Sequence, residues 1–206
     1  MSKLLDATFG SSGLSVPVEA DATGSPPDGP RLQEINALAE ALSGLASLSE
    51  GQRRVLLPEG ASCEHVTLDT DRTMTELRLQ DGTLSVFRSL GEEALLFAWF
   101  SGQGVAVKPC GEIMESAALN LGDLLVQALV CGSRHISFDL AFVQAMGEET
   151  LGILDSFRRQ LALENDSWGV AFWNIPGGIR PILTSLEQAD VGKPRGENTI
   201  CLCSET

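Results

Sequence analysis

Apolar and polar positions divide the chain into segments of different character. Residues 10–30 are small, polar and rich in Gly, Ser and Pro, without a helical or strand-like period. Such a composition offers too little apolar surface to offset the entropy that is lost on ordering. We therefore predict that residues 1–30 form a disordered tail that is dispensable for folding.

The next segment changes to a helical pattern. Between residues 31 and 48, apolar residues recur at spacings of three and four, which is typical of a helix with one buried face. They include Leu32, Ile35, Leu38, Leu42 and Leu45. Pro30 fits at or just before the start of such a helix, where a missing N–H is tolerated. The helix either packs on its own domain, or binds another protein, or pairs with a second copy in a homodimer through 31–48.

The following residues alternate in the manner of β-strands. We predict strands at 54–57, 64–69, 75–79, 83–87 and 94–100. Asp81-Gly82 lies between two alternating segments, which indicates a tight hairpin whose type I′ turn needs positive φ. Residues 31–100 should therefore form a helix and a small antiparallel meander, and their pattern identifies no family. Their Ser, His and Asp residues show no spacing that indicates a catalytic triad.

The second half of the chain alternates strand-like and helical segments. Strands are predicted at 104–108, 168–173 and 198–203, with helices over 121–129 and 179–186. Gly132 follows the first of these helices, where glycine can adopt the left-handed conformation that ends a helix. This alternation favours parallel pairing, with the helices packed on the sheet.

The strongest pattern lies in residues 134–164. A compact apolar strand, 136–140, is followed by a predicted turn over 141–146 and then by a helix. The apolar stripe of that helix consists of Leu151, Leu154, Phe157 and Leu161. Glu148 and Glu149 fall at the helix start, where negative charge meets the positive end of the helix dipole. The pattern indicates a buried strand, a short connection and a helix that lies back on the sheet.

This stretch resembles the core of the STAS domain, a family that includes anti-anti-sigma factors and the cytoplasmic tails of sulfate transporters. The resemblance is carried by Phe138-Asp139-Leu140, then five residues, Met146, four turn residues, and Leu151-Gly152. In addition, Cys110-Gly111-Glu112-Ile113 resembles the family's Gly-Glu-Leu turn and second strand, so the resemblance implies a turn and a new strand at 110–113. The resemblance covers residues 103–206. It implies an α/β fold with a STAS-like mixed sheet and helices packed on it, preceded by the helix and the small antiparallel β region of 31–100.

The resemblance also implies a site. In the family's switchable members, a serine or threonine of an Asp-Ser-Ser-Gly turn accepts a phosphate from a partner kinase. This chain has Gly147-Glu148-Glu149-Thr150 at those positions. Two carboxylates carry a charge similar to the −1.5 to −2 of a phosphate, which implies a surface fixed in one state. A helix start whose charge serves stability alone is compatible with the same residues.

By this resemblance, the partner-binding surface faces outward and comprises Met146, Gly147, Glu148, Glu149 and Thr150, and Thr150 is a candidate for phosphorylation. Asn174, Pro176, Gly177 and Gly178 are expected to form a rim beside the turn. Glycine-rich loops before helices can hold anions. No lysine follows this loop, so the signal for nucleotide binding is weak.

Composition limits the function further. The net charge is −14, the isoelectric point is near 4.4 and no basic block occurs, so we expect no nucleic-acid binding. The five cysteines and two histidines show no zinc or redox spacing, and we expect neither a metal nor a cofactor. The longest apolar run, 94–100, is far shorter than the ~20 residues of a membrane span. The N-terminus lacks a signal-peptide pattern, so a cytoplasmic protein is expected.

The sequence therefore predicts a non-enzymatic STAS-type protein-interaction module in bacterial signalling or regulatory complex assembly, with no catalytic residues. Its partner would be an anti-sigma-like kinase, a sensory component or a transporter component. Two alternatives remain open. One is an enzyme or a sensor of a small ligand or nucleotide, with a pocket between the N-terminal β region and the STAS-like half. The other is a cytoplasmic STAS subunit of a transporter.

Overall fold

The computed structural model describes residues 32–89, 94–102, 104–163, 168–188 and 198–202. The tail predicted at 1–30 lies outside the described residues and therefore stays a prediction.

The described residues form nine strands and five helices. The helices are α1 (Leu32–Ser47), α2 (Glu50–Leu56), α3 (Glu115–Val130), α4 (Glu148–Leu163) and α5 (Arg180–Gln188). The strands are β1 (Ser62–Thr67), β2 (Arg72–Arg78), β3 (Thr83–Ser89), β4 (Leu95–Ser101), β5 (Gly104–Ile113), β6 (His135–Asp139), β7 (Phe142–Met146), β8 (Trp168–Trp173) and β9 (Asn198–Leu202). The α/β class predicted from the sequence is confirmed.

All nine strands belong to one mixed sheet in the order β1-β2-β3-β4-β5-β6-β8-β9, and β7 also pairs with β5. The pairs β1–β2, β2–β3, β3–β4 and β4–β5 are antiparallel, as expected for a meander. The pairs β5–β6, β5–β7, β6–β8 and β8–β9 are parallel. Parallel pairing in the second half is thus confirmed.

The sheet has a core on each face. On one face, α3, α4 and α5 cover a cluster that includes Leu96, Val107, Leu121 and Phe172. On the other face, α1 covers the meander through Leu38 and Leu42, which pack with Leu77, Leu84 and Phe97. Leu154 and Phe157 of α4 are 6% and 9% exposed, so their predicted place in the core is confirmed.

The hairpin between β2 and β3 forms as expected, but for a different reason. Leu79 N donates to Gly82 O at 2.8 Å. Gly82 is not among the described residues with positive φ. A Cβ at this position would instead collide with the carbonyl oxygen of Phe100 and lie 2.7 Å from the Trp99 ring. Close approach of β4 therefore requires the glycine.

The strand predicted at 54–57 is wrong, because Arg54 to Leu56 belong to α2. The N-terminus of α2 carries a capping box, in which Ser49 N donates to the Gln52 side chain at 3.1 Å. Such a box satisfies backbone donors that a helix start would otherwise leave unpaired. The Val-Leu-Leu run suggests a strand, but Val55 and Leu56 are 84% and 61% exposed.

Two further predictions are corrected by the length of β5. The turn and second strand that the resemblance implies at 110–113 lie within this single strand, where Gly111 adopts φ 87° and the register with β7 shifts. The turn predicted at 141–146 is largely strand β7. The physical reason is shared: the first half of β5 pairs with β6 and its second half with β7. The chain therefore remains extended after residue 140.

The meander and the second half of the chain share this sheet. Strand β4 pairs with β5 over seven residue pairs, Leu95↔Cys110 to Ser101↔Gly104. Arg72 of β2 also forms an ion pair with Asp123 of α3 at 2.8 Å. The division into regions 31–100 and 103–206 stays a prediction. Of the helices described, none is long and apolar enough to span a bilayer.

Candidate functional site

Two helices begin side by side at one end of the sheet. Strands β5 and β7 run parallel, with Ile113 opposite Met146, and each leads directly into a helix. The Ile113 carbonyl oxygen accepts hydrogen bonds from Gly147 N at 2.9 Å and from Thr150 Oγ1 at 2.8 Å. The turn 146–150, hereafter the switch turn, is therefore anchored to the end of β5.

Both helix starts are acidic. Glu115 lies in the first turn of α3, and Glu148 and Glu149 lie in the first turn of α4. All three residues are exposed. A carboxylate in this position interacts favourably with the helix dipole, by roughly 0.3–1 kcal/mol. The switch turn therefore presents negative charge to solvent at neutral pH.

Thr150 does not face outward with the glutamates. It is 0% exposed, and its hydroxyl donates to the Ile113 carbonyl oxygen. The expectation that the whole turn faces solvent is therefore wrong at this residue. Thr150 is buried because it lies on the inner side of the first turn of α4. A kinase would have to break this contact and expose the side chain, so we do not propose Thr150 as a phosphorylation site.

Gly147 and Met146 connect the exposed and the buried parts of the turn. Met146 is half-buried and packs against the core below the helices. A Cβ on Gly147 would lie 2.9 Å from the Glu149 carboxylate and 3.2 Å from Met114 Sδ. The space beside Gly147 is thus filled by Met114, which precedes α3. Met114 brings the two helix starts into contact.

The predicted rim is tied to the end of β6. Asn174 is exposed, adopts φ 51° and donates from Nδ2 to Asp139 Oδ1 at 2.9 Å. The carbonyl oxygen of half-buried Pro176 accepts from Ile179 N at 2.9 Å, which shapes the turn into α5. Gly177 and Gly178 are exposed. These hydrogen bonds run to Asp139 and within the loop; the role of the loop in binding stays a prediction.

A buried ion pair lies next to this loop and was not expected from the sequence. Lys108 is 6% exposed, and its Nζ lies 3.0 Å from Asp139 Oδ2 and 5.4 Å from the centre of the Phe142 ring. Asp139 also accepts from Ala141 N at 3.2 Å. The sequence signal is a single lysine within the apolar strand 104–108. Pairing and hydrogen bonding stabilise such a buried charge, so we interpret the pair as structural.

The two buried thiols of the described residues are poor nucleophiles. Burial raises the pKa of Cys110 to about 12, although the neighbouring Lys108 acts in the opposite sense. Burial also raises the pKa of Cys63. Since the thiolate is the nucleophile and metal ligand, both residues are inert at neutral pH. Within the described ranges, no group of three or more His, Cys, Asp or Glu residues could hold a metal ion.

A small cavity lies beneath the switch turn. It is lined by Leu96, Pro109, Ile113, Leu121, Phe138, Leu140, Met146, Thr150, Leu154 and Phe172. The hydroxyl of Thr150 is already bound to Ile113, and the other side chains are apolar. Ligand sites need a few polar groups to fix orientation. The lining of this cavity therefore does not favour a nucleotide.

No protein-family model matches this sequence, and no curated protein matches it. Two similar solved structures are anti-sigma factor antagonists. SpoIIAA in its unphosphorylated form is 13% identical, with a TM-score of 0.36, over 50% of this chain and 83% of its own. An anti-sigma factor antagonist from Mycobacterium paratuberculosis is 24% identical, with a TM-score of 0.40, over 50% of this chain and 86% of its own.

Likeness at this level of identity concerns the fold alone. Each of the two structures is similar to half of this chain.

Proposed function

We propose that this chain is a non-enzymatic protein-interaction module of regulatory complexes in bacteria, and that its partner binds the switch turn. The observation that carries the proposal is the division within the turn. Glu148 and Glu149 are exposed, whereas the hydroxyl of Thr150 is buried and bonded. The turn therefore offers a partner a permanent negative charge.

This arrangement supports a constitutive interaction. A phosphorylation switch needs an accessible hydroxyl whose charge changes on modification. Glutamate carboxylates are ionised at neutral pH without any modification. The surface that binds the partner therefore carries its negative charge permanently and stays in one binding state. The partner itself, whether an anti-sigma-like kinase, a sensory protein or a transporter component, should present complementary positive charge.

The turn is also rigidly supported. The Ile113 carbonyl oxygen holds both Gly147 and Thr150, and Leu154 anchors the next turn of α4 in the core. A surface on rigid elements loses little conformational entropy when a partner binds. Exposed charges on such a surface mainly set the rate and specificity of association.

The test is reversal of the charge in the full-length chain. We expect Glu148→Lys with Glu149→Lys to change the set of proteins that co-purify from the native cell. The control is Glu40→Lys with Glu59→Lys, which changes net charge equally at exposed positions on α1 and after α2. Melting curves should show only small losses, because each helix-start charge contributes about 1 kcal/mol or less. The same co-purifying proteins from both double variants and the wild type would refute the proposal.

A further inference from the structure

We propose a second contact surface on α3 that takes a basic, amphipathic helix of a partner protein; this inference rests on the proposed function. The surface, hereafter the α3 ridge, consists of Leu119, Val126 and Val130. These side chains are 54%, 59% and 81% exposed. The ridge adds an apolar stripe, on which a helical partner can pack, to the charge of the switch turn.

The three aliphatic residues are aligned. Their spacings of seven and four place them on one side of the helix, over about 17 Å of its length. The opposite side of α3 packs on the sheet through Ala117, Leu121, Leu124 and Ala128. Single exposed aliphatic residues are ordinary on protein surfaces, whereas contiguous apolar patches are often functional.

Acidic residues interleave with the ridge. Glu115 lies one turn before Leu119 on the same side, and Asp123 lies between Leu119 and Val126. Asp123 is held in place by Arg72 at 2.8 Å and is still 49% exposed. An apolar stripe with fixed acidic neighbours complements a helix whose apolar face is flanked by Lys and Arg.

The ridge is continuous with the switch turn. Met114, which is 37% exposed, precedes α3, and its Sδ lies close to Gly147. Glu148 and Glu149 follow on the neighbouring helix start. The charges are asymmetric, because exposed Arg134 lies beyond the other end of α3. The basic residues of the partner helix should therefore lie toward Glu115 and the switch turn.

A second copy of this chain is the less favoured occupant. Each copy carries a net charge of −14. Two α3 ridges packed face to face would bring the acidic residues beside the ridge, Glu115 and Asp123, of both copies into one interface. Like charges placed together in an interface oppose association. Charge complementarity thus favours a basic partner over self-association.

The experiment is site-specific photo-crosslinking in the native cell with the full-length chain. A benzophenone amino acid replaces Val126 in one variant, Val130 in a second and Val55 in a control. Val55 is 84% exposed but lies on α2, away from the ridge. Mass spectrometry identifies the cross-linked peptide. We expect Val126 and Val130, and not Val55, to capture one partner through a segment with helically spaced apolar residues flanked by Lys or Arg.

A second variant measures the contribution of the ridge. Val126→Ser with Val130→Ser should lower recovery of that partner about tenfold, without a comparable loss for Val55→Ser. Four results would overturn the inference: cross-links to residues 1–31 of the same chain, to a second copy, to an acidic or non-helical segment, or to no protein. If the ridge variants bind normally while the Glu148→Lys, Glu149→Lys variant does not, the ridge fails and the proposed function stands.

Discussion

At the scale of single residues, the hydroxyl of Thr150 decides which part of the switch turn can meet a partner. The sequence places Thr150 beside two glutamates but does not show which way its side chain points. Its acceptor, the Ile113 carbonyl oxygen, lies 37 residues earlier in the chain. A contact over that separation depends on the pairing of β5 with β7, so local pattern alone could not predict it.

We predict that Thr150→Glu destabilises the protein much more than Thr150→Val. The valine variant loses one hydrogen bond, at about 1 kcal/mol. A glutamate at a site that is 0% exposed must bury or displace a charge, at several kcal/mol. Chemical denaturation of both variants measures the difference. Equal stability of Thr150→Glu and wild type would show that the residue faces solvent.

The second prediction concerns thiol chemistry. Cys131 is exposed, whereas burial raises the pKa of Cys110 from 9.0 to about 12. At pH 8 the thiolate fraction of native Cys110 is therefore about a thousandfold below that of an ordinary cysteine. Alkylation followed by peptide mapping should modify Cys131 quickly and Cys110 only after unfolding. Similar rates for the two in the native protein would contradict this assignment.

The same shift has a consequence for stability. The pKa of Cys110 is higher in the folded protein than in the unfolded chain, so the thiol contributes its full share of stability below pH 9. That contribution is lost as the pH rises from 9.0 toward about 12. Over that window the unfolded thiol ionises while the buried thiol does not. Stability in denaturant should fall across it. The Cys110→Ala variant, compared with the wild type at the same pH, isolates this part of the change.

At the scale of elements, strong helical periods predict structure well. The stripes of α1 and α4 appear where the sequence indicates. Short apolar runs are ambiguous: Val55 and Leu56 resemble a strand, yet the Ser49–Gln52 capping box makes them part of a helix. The prediction divided strand β5 because Gly111 resembles a turn residue. In the structure, Gly111 lies at an irregularity within one continuous strand, where the register with β7 shifts.

We predict that Phe157→Ala lowers the free energy of unfolding by about 3–5 kcal/mol, because a buried phenylalanine leaves a cavity when truncated. Phe157 is 9% exposed and packs in the core beneath α4. Ser156→Ala, at the exposed neighbouring position, is the control and should have little effect. Denaturant titration of the two variants decides the matter. An unchanged midpoint for Phe157→Ala would mean that α4 packs through another face.

At the scale of the whole molecule, the two regions predicted from the sequence are joined more closely than their patterns suggest. Leu96, Ala98 and Phe100 of β4 belong to the same core as Val105 and Leu121. The resemblance to a known domain begins near residue 103 and so gives no sign of this. Which strands pair across a boundary is a long-range property that periodicity does not contain.

We therefore predict that the fragment 103–206 does not fold cooperatively by itself. Without β4, the fragment would expose the backbone edge of β5 and lose part of its core, and such edges promote aggregation. Circular dichroism during heating tests this, with the full-length chain as control. A sharp transition of the fragment near that of the full chain would show an autonomous domain.

The most direct test of a fixed negative docking surface is the association rate of the captured partner as a function of salt. Glu148→Gln with Glu149→Gln removes both charges and keeps similar side-chain size; Glu40→Gln with Glu59→Gln is the matched control. We predict an association rate about tenfold lower for the switch-turn variant at low salt, with a shallower salt dependence, and no such change for the control. Identical rates and salt dependence for the switch-turn variant and the wild type would contradict the account.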